Sequence, residues 1–478
     1  MPEVTSPFEL PELRRSINKY LRRIDLACCI LVCKKWHTFF FPSLWHGFED
    51  SDYNRKMLPP LAQIIKYGHL IKKFSSSKKR QAYLVLFSPN LTYMNLNSTK
   101  DLGPHTLALK QQLSTLDLYD VKFADECSFW RTAEVGLPQL KSLSVCKLDF
   151  SILSIGCFWN ICPRLEKLKI SLTHLPQGPP SSLLFTPLRK LEITVVNGIS
   201  LQDIDNWIAR CPNLQTLAYS SHAGSLPLRM LSSLTVTELW PRLERLELSY
   251  CNISDRALAA VLSGMRQIKE LWTMRSDFGP LSYAALRPHF SHLEKLLLPS
   301  PDTYEEAKEH RVVTWEMTHE ILISCPKLVT LHGAYAPVND VLKCQSTPWA
   351  CSGTLQSFGI EFEFPIKCNP STHRFIFALL SQLKRLVTLF LHVPSNSPYP
   401  SLDIRVISGL DKLEPLKCMM HIYLTERVNQ TMEMEDLQWM IDHWPKFIDV
   451  MGPMNSDQAK NGALLNKKYE NMRTFNGS

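Results

Sequence analysis

A step of three aliphatic positions, Leu-x-x-Leu-x-Leu, recurs through most of this 478-residue chain and restricts it to folds that stack. Leu113-Leu116-Leu118, Leu140-Leu143-Val145, Leu165-Leu168-Ile170 and Leu188-Leu191-Ile193 follow one another without a break. Leu243-Leu246-Leu248, Leu293-Leu296-Leu298 and Leu386-Leu389-Leu391 continue the series, and looser copies start at Leu91, Leu214, Ile268, Leu328 and Leu355. From Leu91 to Leu386 the starts recur about every 27 residues. A strand this short cannot bury its apolar residues by itself. Set beside copies of itself, with a return segment packed behind, it builds one continuous core.

The return segments read as helices, most clearly Leu201 to Arg210 before Cys211-Pro212. Cys162-Pro163, Cys325-Pro326 and Trp444-Pro445 punctuate the chain in the same way, because proline ends a helix and the next strand can follow. Pro299 to His310 and Val393 to Ser401 lengthen their steps and read as projecting loops. Beyond Asn455 the chain is polar and aperiodic, which predicts a loose tail. Step and spacing together resemble those of leucine-rich repeat proteins. The expected fold class is α/β: a small N-terminal helical motif (residues 1–48), a basic neck (49–90), a leucine-rich repeat solenoid of about twelve repeats (91–453) and a polar tail (454–478). Parallel strands would line its concave face and helices its convex face.

An apolar fraction of 45% with 21% charged residues is ordinary for a folded protein. No run of about 18 apolar residues occurs, so no membrane span is expected. Met1 to Phe8 lacks a basic segment followed by an apolar one, so secretion is not expected either. The fourteen cysteines are scattered singly and form no Cys-x-x-Cys array, which predicts reduced thiols in cytoplasm or nucleus and no metal or cofactor. Residues 1–89 hold 15 Lys and Arg against 7 Asp and Glu, so the whole net charge of +8 lies there. Few base-stacking aromatics are interleaved with it, and a basic docking or solvated face is expected rather than a nucleic-acid site.

Within that basic segment the apolar residues are ordered. Pro11 suits a first helical turn, and Leu13, Ile17, Tyr20, Leu21 and Ile24 form one stripe. Asp25 can cap a second helix from Leu26 to Phe40, whose face carries Leu26, Cys29, Ile30, Cys33, Trp36 and Phe40, and Pro42 is expected to stop it. Two such helices cannot bury all their apolar surface against each other. The remainder needs either the following array, as an N-terminal cap would, or a partner.

The order Leu10-Pro11, amphipathic helix, Asp25-Leu26, Val32-Cys33-Lys34-Lys35-Trp36 and Leu44-Trp45 resembles an F-box. The unit from Leu243 to Ile268, with Cys251 and Asp255, resembles the cysteine-containing leucine-rich repeat that often follows one. The resemblance implies docking on a Skp-type adaptor and, through it, a cullin, with the chain as client receptor of an SCF-type ubiquitin ligase. It assigns adaptor contact to Leu10, Pro11, Ile17, Leu21, Leu26 and Val32. Trp36 and Trp45 join that set as contacts or as core anchors of the motif. The alternative is a leucine-rich repeat scaffold or inhibitor whose N-terminal helices are only a cap.

A client would lie on the strand residues between the buried ones, which point outward by the period of two. In the first half these include Tyr119, Lys167 and Lys169. Further on come Arg245, Trp272, Lys295, Leu297, His332, Glu361 and Phe390, with Tyr250 just past its strand. Trp272, Leu297 and Phe390 are large apolar groups that either await a partner or, with a register shift of one residue, belong to the core. Lys167, Lys169 and Arg245 leave an acidic or phosphorylated client open.

No nucleophile elbow, phosphate-binding glycine loop, dinucleotide fingerprint or His-Glu-x-x-His occurs. Cys33 and His37, at helical spacing, are a pair expected by chance. A non-catalytic role is therefore expected.

Overall fold

The computed structural model describes residues 10–49, 61–76, 87–220, 240–251, 253–274, 276–299, 313–343, 347–365, 368–392, 401–424, 430–455 and 457–477. They form two compact units, Met1–Pro212 and Asn213–Ser478.

The first unit opens with three helices, α1 (Pro11–Asn18), α2 (Arg23–Cys29) and α3 (Lys34–Trp45). Seven strands follow: β1 (Gly47–Glu49), β2 (Lys73–Ser76), β3 (Tyr93–Asn97), β4 (Thr115–Tyr119), β5 (Ser142–Cys146), β6 (Lys167–His174) and β7 (Lys190–Asn197). Each pairs in parallel with the next. The expected single helix from Leu26 to Phe40 is two helices, broken at Ile30–Cys33. Pro42 does not stop α3 but lies within it, one turn from an end that tertiary contacts hold in place.

The repeat step is the cause of the ladder. Leu91, Leu113, Leu140, Leu165 and Leu188 each stand two residues before a strand and are buried, as are the two alternating positions that follow. Ile71 and Phe74 fill the same column at β2, and Trp45 fills it at β1. The strand ladder therefore begins at the end of the segment expected to be the helical motif, at Gly47, and runs on through the expected neck. Past several strands the chain turns through a left-handed residue, among them Ser98, Asp120 and Lys147. Ser98 and Asp120 donate their N–H groups to the carbonyls that end the next strand, Tyr119 and Cys146, and Lys147 donates to Ser171 within β6.

The second unit holds β8 (Thr216–Ser220), β9 (Arg245–Ser249), β10 (Glu270–Trp272), β11 (Lys295–Leu297) and β12 (Thr330–Pro337). It continues with β13 (Ser357–Glu363), β14 (Thr388–His392), β15 (His421–Leu424) and β16 (Asp449–Met451). These nine also pair in parallel, each with the next. The tail expected to be loose is instead a helix, Gln458–Gly477. Its buried Lys468 donates to the Val450 carbonyl on β16 at 2.9 Å, so it satisfies an acceptor on a strand that has no neighbour beyond it among the described residues.

The Cys-Pro punctuation has a packing reason. Cys162 and Cys211 are buried at helix ends and donate their S–H groups to the carbonyls of Phe158 and Trp207, four residues back. Burial pushes the Cys211 thiol up to about 12, so it stays protonated and inert. Parallel strands with one alternate buried and the other open, joined by returning helices, make this an α/β leucine-rich repeat fold.

Candidate functional site

The N-terminal helices divide by what they touch. The Arg22 guanidinium Nε and backbone N–H donate to the Asp25 carboxylate at 3.2 and 2.9 Å, which closes the start of α2 and holds Asp25 below the usual carboxylate range. Arg14 lies 4.5 Å over the Phe39 ring, tying α1 to α3. At the far end of α3, Phe41 and Trp45 meet Tyr67 of α4 (Leu61–Tyr67) at 4.9 and 5.0 Å between ring centroids.

Of the expected adaptor residues, Trp45 and Leu26 are buried, 5% and 7% exposed. Trp45 is the first rung of the repeat core, the core-anchor place among the two left open for it. Leu26 is likewise core. Ile17, Leu21 and Trp36 are half-buried, and Pro11 opens α1. Leu10 and Val32 are exposed, and so are Leu13, Tyr20, Ile24 and Leu31. Six large apolar side chains in 23 residues thus face solvent, more than a monomer ordinarily leaves uncovered in one short segment.

On the open face of the first unit the register brings together Tyr93, Thr115, Ser142, Lys167 and Lys190 in one row. The next row is Asn95, Asp117, Ser144, Lys169 and Glu192, and the third contains Tyr119, Cys146 and Ser171. Every outward residue of β5 is small. The result is a hollow of about 540 Å³ floored by Ser142, Ser144 and Cys146, with Asp117 and Tyr119 on one side and Lys167 and Lys169 on the other. Glu192 bridges Lys190 at 2.6 Å and Lys169 at 3.2 Å. Burial would raise its carboxyl, but the hydrogen bond from Lys190 and the charge of Lys169 prevail and hold it low. Burial pushes Asp117 up against the opposing effects of Tyr93 and Lys169. Lys147 stands 5.1 Å over the Tyr119 ring at the rim. Lys167 makes no ion pair among the described residues.

The second unit presents different chemistry. Arg245 pairs with Glu247 and with Glu270, both at 3.2 Å, and Lys295 closes on Glu270 at 2.9 Å. Arg245 also lies 4.7 Å over Trp272. Beside this charged row run Trp272, Leu297 and His332, opposite one another on β10, β11 and β12. His332 then reaches across Gly359, where a Cβ would stand only 3.1 Å from its ring, and meets Phe390 with centroids 4.6 Å apart. Phe390 stacks on Tyr423 at 4.4 Å and 10°. Burial depresses His332 to about 4, so this row carries a neutral imidazole near neutral pH.

Trp272, Leu297 and Phe390 are half-buried on the outward alternate, which decides between the two registers the sequence leaves open. Tyr250 takes a left-handed turn with φ 60° and donates its N–H to Met274, so backbone geometry as well as exposure fixes its place. Glu361 keeps the outward alternate expected of it, opposite Tyr335 on β12 and His392 on β14, yet it is buried (1% exposed). The sequence reading missed the hollow and the part of Tyr423. Its signal was Ser142-x-Ser144-x-Cys146, three small outward residues flanked by long ones on either side.

Among the described residues, no group of three or more His, Cys, Asp or Glu could hold a metal ion, and no helix is long and apolar enough to cross a membrane. No protein-family model matches the chain, and no curated protein matches it. Among solved structures, a leucine-rich repeat protein of Leptospira interrogans is similar at 13% identity, over 86% of this chain and 91% of that one, with a TM-score of 0.42. A structure of the Rad7 and Elc1 complex of yeast is similar at 15% identity, over 83% of this chain and 97% of the matched one, with a TM-score of 0.43. Neither likeness bears on function at these values, and the fold class rests on the strand ladder itself.

Proposed function

We propose that this chain is a client receptor without chemistry of its own, acting in cytoplasm or nucleus. Its N-terminal helices would dock a Skp-type adaptor and, through it, the cullin of an SCF-type ubiquitin ligase. Its open strand faces would hold a protein client for ubiquitin transfer by another subunit. The observation that carries this reading is the uncovered apolar set Leu10, Leu13, Tyr20, Ile24, Leu31 and Val32 within the ordered F-box-like motif. Apolar surface of that extent is stabilised by a partner that removes it from water, at roughly 25 cal/mol per Å².

One observation favours the cap reading: α3 rests on α4 through Phe41, Trp45 and Tyr67. That accounts for α3 and leaves the exposure of Leu10, Leu31 and Val32 unexplained. Co-purification of the whole chain with a Skp-type adaptor separates the two. The receptor reading expects a complex that Leu10→Asp with Val32→Asp abolishes, and a folded wild-type chain that forms none removes it.

A further inference from the structure

We propose that the hollow over β5 in the first unit is a seat for a phosphorylated side chain on an extended segment of the client. This rests on the receptor reading above and names what one of its faces selects.

The cations are placed for an anion. Lys167 and Lys169 are both exposed on the outward side of β6 and border the hollow there, beside its β5 floor. Lys167 is free of ion pairs among the described residues, so an incoming anion displaces no carboxylate from it. Lys169 is shared with Glu192, which Lys190 also holds, so its ammonium can turn to a second anion while Glu192 stays neutralised. Neutral donors lie between and beside these lysines: Ser144 is directly opposite Lys169, Ser142 opposite Lys167, and Ser171 closes the third row. Neighbouring strands are ~4.8 Å apart, which lets one tetrahedral group reach hydroxyls on β5 and ammonium groups on β6 together.

The donor set selects among anions. A phosphate monoester carries about −1.5 to −2 charge and three strong acceptor oxygens, against one charge and two oxygens for a carboxylate. Two ammonium groups and three hydroxyls match the first. The Asp117 carboxylate, across the hollow on β4, repels an anion and sets it on the Lys167–Lys169 side. A volume of about 540 Å³ also has room for the residue bearing the phosphate, and Tyr119 with Lys147 over it gives a flat rim for the flanking chain. A bare phosphate ion would leave most of that space empty.

The test uses the whole chain and three probes: the peptide acetyl-Gly-Gly-phosphoserine-Gly-Gly-amide, its unphosphorylated form, and inorganic phosphate. Isothermal titration should show binding of the phosphopeptide alone, weakening as salt is raised. Lys167→Gln should weaken it about tenfold or more, and Lys167→Arg should restore most of it. Ser144→Val should weaken it without changing the thermal midpoint. Equal binding of the two peptides, inorganic phosphate binding as well as the phosphopeptide, no phosphopeptide binding by folded wild-type protein, or indifference to Lys167→Gln would each overturn the proposal. Adaptor binding measured on the same samples keeps the outcomes apart. Its loss counts against the receptor reading while the peptide titration still judges the hollow.

Discussion

Trp45 rests on Tyr67 with ring centroids 5.0 Å apart, and the contact makes the end of the N-terminal helices the start of the repeat ladder. The motif is therefore split. Its last helix is bound into the array, while the segment from Leu10 to Val32 keeps six large apolar groups, Leu10, Leu13, Tyr20, Ile24, Leu31 and Val32, in water. A free-standing N-terminal fragment would lack the Tyr67 side of that packing, so the tests below use the whole chain.

Trp45→Ala removes a buried indole from the first rung of the core and should cost about 3–5 kcal/mol. Denaturant unfolding followed by fluorescence checks it. A cost under about 1 kcal/mol would place Trp45 outside the core. Loss of adaptor binding in this variant reports on folding rather than on a direct contact.

Asp255 caps the neighbouring helix Pro280–Leu286, accepting from the N–H groups of Gly279 at 2.8 Å, Leu281 at 3.0 Å and Ser282 at 2.8 Å. Burial pushes its carboxyl up, but these hydrogen bonds prevail and hold it below the usual range. A depressed folded value gives stability that is present above the unfolded pKa and lost as pH falls through the folded one. Asp255→Ala should cost about 1–3 kcal/mol at pH 7. Its difference from wild type should shrink in acid, as paired thermal melts across pH would record.

Asp205 is the opposite case. It is buried on the helix Leu201–Ala209, its Oδ2 lacks a hydrogen-bond partner, and burial lifts it to about 7. The folded state then holds a proton that the unfolded state releases above about pH 4, so stability falls as pH rises from there to about 7. Asp205→Asn should therefore stabilise the chain at pH 8, by about 1–3 kcal/mol, and change little at pH 4. Equal effects at the two values would contradict the assigned burial.

Much of the ladder was legible because leucine spacing and strand register are one fact seen twice. Each of the twelve starts from Leu91 to Leu386 stands just ahead of a strand, β3 to β14. The four other strands use the same buried columns with different residues. Ile71 and Phe74 serve β2, Met419 and Ile422 serve β15, Phe447 and Val450 serve β16, and Trp45 serves β1. A search for leucine passes over them, although the physics of burial is unchanged. Glu361 keeps its outward alternate but is buried there, which the period of two does not foretell, whereas the irregular register of β12 had a local sign. Gly333, inside the β12 pattern at φ 78°, marks the shift, and a Cβ there would meet the Leu298 carbonyl oxygen at 2.6 Å. The C-terminal helix gave no such sign, because what it satisfies, the Val450 carbonyl, comes from a different segment.

The central claim is that residues 10–32 are an adaptor-docking face, and hydrogen exchange of the whole chain with and without a Skp-type adaptor tests it most directly. The account predicts saturable binding, with slowed amide exchange concentrated in Leu10–Val32 and little change on the strand faces of β4 to β6 or β10 to β14. Leu31→Asp with Val32→Asp, both at exposed positions, should abolish the protection and leave the melting temperature unchanged. A folded chain that shows no protection in Leu10–Val32 at saturating adaptor, or protection only on the strand faces, would contradict it.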